Sequence, residues 1–72
     1  MNYYQRIRDL REDAEKTQTD IANVLMIKQT QYSRYERGVQ MMGIDKYIQL
    51  AKYYNISLDY ITGLTNEPRK LY

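Results

Sequence analysis

The eleven residues from Lys28 to Gly38, KQTQYSRYERG, hold the side chains of this chain best suited to recognising a ligand. Taken as one short helix stopped by its glycine, they place Tyr32 and Tyr35 three apart, on one face that can turn into a core. Gln29, Thr30, Gln31, Ser33 and Arg34 then project on the other sides. Amide and guanidinium forks pair bidentately with adenine and guanine edges. The charges in the stretch are Lys28, Arg34 and Arg37 against a single acid, Glu36. An aromatic back with a Gln/Thr/Arg front suits a DNA groove. An ordinary amphipathic helix with a solvated polar face shows the same pattern, and the helix alone does not separate the two.

Little else in the chain can do chemistry. With no histidine and no cysteine, disulfides, thiolate or imidazole metal sites and the common nucleophile–base pairings are all ruled out. Glu12, Asp13 and Glu15 cluster near Lys16, which at a helix end reads as a solvated charged face. The three glycines are isolated at 38, 43 and 63, so there is no phosphate-cradling loop. The expectation is a non-enzyme with no cofactor, no metal and no small-molecule substrate.

Seventy-two residues make one small domain with a limited core. Without disulfides or a metal, such a chain must rely on tight helical packing, helped by dimerisation. No apolar run is long enough for a membrane, and MNYYQRIRDL lacks the apolar stretch of a signal peptide, so a cytoplasmic protein is expected. The net charge is only +2, so a basic footprint has to come from arrangement rather than excess.

Five short helices can be placed. The first runs from about Tyr3 to Ala14, with Tyr3, Ile7, Leu10 and Ala14 on one stripe. Thr17 offers an N-cap, with Asp20 three residues on in a shortened capping box. QTDIANVLM forms the second helix and buries Ile21, Ala22 and Leu25. A tight connection leads to the third helix, the spacing of a helix-turn-helix, and Gly38 can take the left-handed conformation that stops it. After the loop VQMMG, a fourth helix covers about Ile44 to Tyr54, with positions 47, 50, 51 and 54 on its apolar face. Ser57 caps a last helix, LDYIT, ended by Gly63. The domain is expected to span 1–64, and 65–72 reads as an irregular tail containing Pro68.

Five blocks in order carry a family resemblance: R-I-R-x-L-R from Arg6 to Arg11, T-Q-x-x-I-A from Thr17 to Ala22, S-R-Y-E-R-G from Ser33 to Gly38, L-A-K from Leu50 to Lys52, and I-S-L-D-Y-I-T-G from Ile56 to Gly63. Over roughly residues 5 to 64 the chain resembles the lambda-repressor/Cro-type helix-turn-helix family, also called the XRE family. The resemblance implies an all-α, compact five-helix lambda-repressor-like DNA-binding domain whose third helix enters the major groove. It also implies a transcriptional regulator, of the repressor kind found in phages, mobile elements and bacteria.

The same resemblance assigns roles. Gln18 matches the glutamine at the start of helix two that contacts a phosphate, where the helix N-terminus favours an anion. Gln29, Thr30 and Arg34 match base-reading positions. Gln31 and Ser33 flank them, and Lys28 and Arg37 are phosphate partners. Arg11 and Glu36 match an ion pair that braces helix three against helix one. Ile21, Ala22, Tyr35, Leu50, Ala51 and Ile56 match core positions.

Several residues depart from the family pattern. Met26 stands where a glycine usually makes the turn before helix three, which leads us to expect a differently built turn. Lys28 replaces a Ser/Thr cap, Tyr32 a branched aliphatic and Met42 a frequent proline. Nine tyrosines with no Phe or Trp imply core hydroxyls that must find a partner or reach the surface.

Two functions compete: a repressor that binds a palindromic double-stranded DNA operator as a homodimer, and a helix-turn-helix fold used as a protein-interaction module, as an antirepressor partner would need. Gln18, Gln29, Arg34 and Arg37 favour the first, because a module that had abandoned DNA has no physical reason to keep them. For the dimer, the apolar surface left over is Leu58, Tyr60, Leu64, Leu71 and Tyr72. The alternative there is that Tyr60 and Leu64 fold back on their own core.

Overall fold

The computed structural model describes residues 3–64. It places five helices in the expected order: α1 (Tyr3–Asp13), α2 (Gln18–Leu25), α3 (Gln29–Arg37), α4 (Ile44–Tyr54) and α5 (Leu58–Ile61). No strand forms among the described residues. The tail assigned to 65–72, with Leu71 and Tyr72, lies outside them.

Each apolar stripe turns inward where the 3.6-residue period puts it. Ile7 of α1, Ile21 of α2, Tyr32 of α3, Leu50 of α4 and Ile61 of α5 are fully enclosed and meet in one core. α2 packs on α3, with Ala22 buried as expected; α1 lies across α3 and α5, and α4 closes the far side against α2 and α5. Positions 47, 50 and 51 of α4 are buried, with Tyr54 packed beside them.

The ends of the helices follow their capping chemistry. Thr17 Oγ1 accepts from the Asp20 N–H at 3.1 Å, and an Asp20 carboxylate oxygen accepts from the Thr17 N–H at 2.9 Å. Aspartate thus completes a capping box that usually uses the longer glutamate. Ser57 Oγ accepts from the Tyr60 N–H at 3.1 Å and opens α5. Lys28 stands at the N-cap of α3 in extended geometry with no side-chain cap, as its chemistry dictates. Gly38 closes α3 at φ 74°, and the ring of Tyr4 lies against it so closely that a Cβ would sit 2.7 Å from a ring carbon.

Four expectations need correction. Ala14 does not extend the α1 stripe: the helix ends at Asp13, Glu15 takes a left-handed φ of 57°, and Ala14 lies exposed in the turn. Met26 is not helical; it closes α2 at φ 58°, ψ 41°, with its N–H on the Ala22 and Asn23 carbonyls. The turn is therefore not built differently. Met26 adopts the left-handed conformation that glycine would take, and its side chain is free to do so because it is 91% exposed. Thr62 caps α5 rather than continuing it, its hydroxyl donating to the Leu58 carbonyl at 2.8 Å. Finally, the hydroxyls of Tyr32 and Tyr54 are buried without a partner in hydrogen-bond geometry, against the expectation that each would find one or reach solvent.

Candidate nucleic-acid interface

The residues singled out in and beside α3 divide by burial, with Gln31 and Ser33 half-buried between the two groups. Tyr32, Tyr35 and Glu36 face the core, while Lys28, Gln29, Thr30, Arg34 and Arg37 are exposed. Burial removes the stretch's one acid from the surface. In the sequence, three positive charges stand against one negative; on the folded face, all three positive charges remain and the negative one is withdrawn.

Glu36 is buried because it has partners there. Its side chain is 2% exposed, and Arg11, 14% exposed, grips it with Nε at 2.7 Å and Nη2 at 3.1 Å. A two-point contact of this kind is the geometry in which guanidinium and carboxylate interact most strongly. Burial works to raise the Glu36 pKa, but the hydrogen bonds from Arg11 and Gln18 and the positive charge of Arg11 outweigh it and hold the carboxyl below its ordinary value. The same burial, followed by the carboxylate's charge, drives the Tyr32 hydroxyl far up. Arg11 also donates from Nη1 to the Lys16 carbonyl at 2.9 Å, which ties the turn after α1 to the pair.

A second link runs from this ion pair to the exposed face. Gln18 Nε2 donates to Glu36 at 3.0 Å, and Gln18 Oε1 accepts from Gln29 Nε2 at 2.6 Å. The first residues of α2 and α3 are therefore joined side by side. The structure thus adds to Gln18, expected only at a phosphate, a position between the ion pair and Gln29, one of the expected base readers. Sequence reading missed this chain of contacts, and no local signal announces it.

The flanking residues are also held. Gln31 Nε2 donates to the Tyr35 hydroxyl at 2.8 Å, and Arg37 Nε donates to Ser33 Oγ at 3.3 Å. Thr30 and Arg34 stay exposed on the outer surface. Among the described residues no group of acidic side chains is arranged to hold a metal ion, and no helix is long and apolar enough to cross a membrane.

The proposed dimer surface divides. Leu58 and Tyr60 are half-buried against the core, and Tyr60 carries the Arg6 guanidinium 4.2 Å from its ring centroid while its carbonyl accepts from Arg6 at 3.0 Å. Leu64 is 80% exposed. Another apolar surface, not anticipated from the sequence, is presented by Met41, Ile44 and Ile48.

A family model described as helix-turn-helix matches residues 7–61. The chain belongs to the lambda-repressor/Cro-type helix-turn-helix family. Among relatives of this helix-turn-helix domain is an uncharacterised HTH-type transcriptional regulator YobD of Bacillus subtilis (strain 168), 38% identical over 92% of this chain and 59% of its own length. The HTH-type transcriptional regulator ImmR of the same organism is 31% identical over 97% of this chain and 55% of its own. The cryptic phage CTXphi transcriptional repressor RstR of Vibrio cholerae is 32% identical over 74% of this chain and 48% of its own. The chain thus spans about half the length of the curated relatives it matches. A crystal structure of a transcriptional regulator from Listeria innocua shares the fold, with a TM-score of 0.84 at 24% identity, over 92% of this chain and 62% of that one.

Proposed function

We propose that this helix-turn-helix domain is a sequence-specific double-stranded DNA-binding regulator, a repressor of phage or mobile-element type, that lays α3 in the major groove. The observation that carries this reading is the segregation of charge on α3: Glu36 withdrawn to Arg11, with Lys28, Arg34 and Arg37 exposed beside Gln29 and Thr30. The relatives' names, two regulators and one phage repressor, support it. Arg34 and Gln29 read base edges, Thr30 lies between them, and Lys28, Arg37 and the N-terminus of α2 at Gln18 take phosphates. Because one recognition helix covers only a few base pairs, the DNA partner is a palindromic operator bound by a homodimer. The competing reading, a protein-interaction module, draws on exposed Met41, Ile44 and Ile48.

Gel shift against random-sequence DNA, followed by selection of bound sequences, tests the proposal. If each subunit neutralises about three to five phosphates, the dimer's log–log salt slope should be roughly −5 to −9. Arg37→Ala should flatten it by about one unit and weaken all sequences alike. Binding independent of salt would turn the choice to the interaction module.

A further inference from the structure

Glu36 stands in the middle of a polar chain that begins at Arg11 and ends on the exposed face of α3. An ionised carboxylate only accepts hydrogen bonds. Gln18, 3.0 Å away, must therefore turn its Nε2 toward Glu36 and its Oε1 away from it. That oxygen lies 2.6 Å from Gln29 Nε2, so Gln29 in turn must donate. Each amide's orientation follows from the group before it, and only this arrangement satisfies all three. What remains on the exposed Gln29 is a carbonyl oxygen and one N–H. An acceptor beside a donor complements the major-groove edge of adenine, which presents the N6 donor and the N7 acceptor. An amide turned the other way would hand its carbonyl to Gln18 and point its NH2 outward, toward the two acceptors of guanine.

We propose that Glu36, besides bracing α3, is a positioning residue for base readout: it sets the polarity of the Gln18–Gln29 pair and thereby which base Gln29 prefers. The inference rests on the DNA-binding reading above and adds to it a specificity role for a residue that never reaches the DNA. Glu36→Gln removes the constraint, because a neutral amide can donate to Gln18 as readily as it accepts.

The test compares the wild-type chain with Glu36→Gln and Gln18→Leu, using Gln29→Ala to mark the operator position that Gln29 reads. Competition binding gives the adenine-to-guanine preference at that position and at the one marked by Arg34→Ala. In both variants the preference at the Gln29 position should fall by at least about fivefold, while the Arg34 position changes by less than about twofold. Gln18→Leu leaves the Arg11–Glu36 pair intact, so the question stays open to measurement even if Glu36→Gln does not fold. A second readout needs no DNA: in the free protein, the Gln29 side-chain amide protons should resonate apart, one exchanging slowly, and lose both properties in either variant. An unchanged preference in folded Gln18→Leu, or an equal decline at every position, would overturn the proposal. If the wild-type chain selects no DNA sequence, the DNA-binding reading itself fails and takes this role with it.

Discussion

A carboxylate taken out of water survives only with its charge answered, and Glu36 is answered by Arg11. Arg11→Ala would leave that charge buried without its partner, a change that costs up to about 3–5 kcal/mol. In a domain of this size that is a large share of the total stability. A thermal melt without DNA should therefore show a strongly lowered Tm; an unchanged melt would place the pair in solvent. The same residue makes a pH prediction. Because the folded Glu36 carboxyl is held below its ordinary value of 4.5, the unfolded chain takes up the proton first as acid is added. The stabilisation is complete above that value and is lost as pH falls through the depressed folded value. Denaturant unfolding at a series of acid pH values should show a decline that Glu36→Gln lacks. Identical acid dependence in the two proteins would mean the carboxylate contributes nothing there.

At the scale of elements, three helices end on left-handed residues, Met26, Gly38 and Asn55, and the first two are of opposite suitability. Gly38 has both the backbone freedom and the missing side chain that the Tyr4 ring requires. Met26 holds nearly the same conformation at φ 58° with a Cβ in place, which costs about 1–2 kcal/mol. Met26→Gly should relieve that strain. Part of the gain is offset by the greater freedom of glycine in the unfolded chain, about 0.4–1 kcal/mol. The expected net is a stabilisation of roughly 0.5 kcal/mol and a Tm higher by a few degrees. A lowered Tm would mean that Met26 does not occupy this conformation in solution. Because this turn sets α3 against α2, the substitution tests the geometry of the motif without touching its exposed polar face.

For the whole molecule, the homodimer proposed above requires two recognition helices to lie one helical turn apart, about 34–36 Å on DNA. Tyr60 is committed to Arg6 and the core, so a charge placed there would disturb the fold as well as any interface. Leu64 is the described member of the expected interface that is free to meet a second copy. Sedimentation of the full chain with a palindromic operator should show two subunits per operator for wild type and a weakened second association for Leu64→Asp. Ile44→Asp, on the other exposed apolar surface, should leave the assembly intact. The reverse pattern would move the interface to Met41, Ile44 and Ile48.

The features readable in the sequence are those that physics makes local. Thr17 and Asp20, Ser57, Gly38 and the apolar period of α4 act over three or four residues, and those caps and the five helices stand where these rules put them, apart from one residue at the C-terminal ends of α1, α2 and α5. Met26 departs from expectation at the same range: a missing glycine does not move a turn when the strain is small beside the packing of α2 on α3. The Arg11–Glu36 pair, 25 residues apart, was foreseen only through the family resemblance. The links from Gln18 to Glu36 and Gln29, across 18 and 11 residues, and from Arg6 to Tyr60, across 54, had no counterpart in any local pattern. Residue types and spacing, with the family resemblance, therefore name which side chains are candidates to face DNA. Which of them are joined, and in which orientation an amide is held, depends on how helices distant in sequence are packed together, because a hydrogen bond is set by position in space and a sequence records only order along the chain.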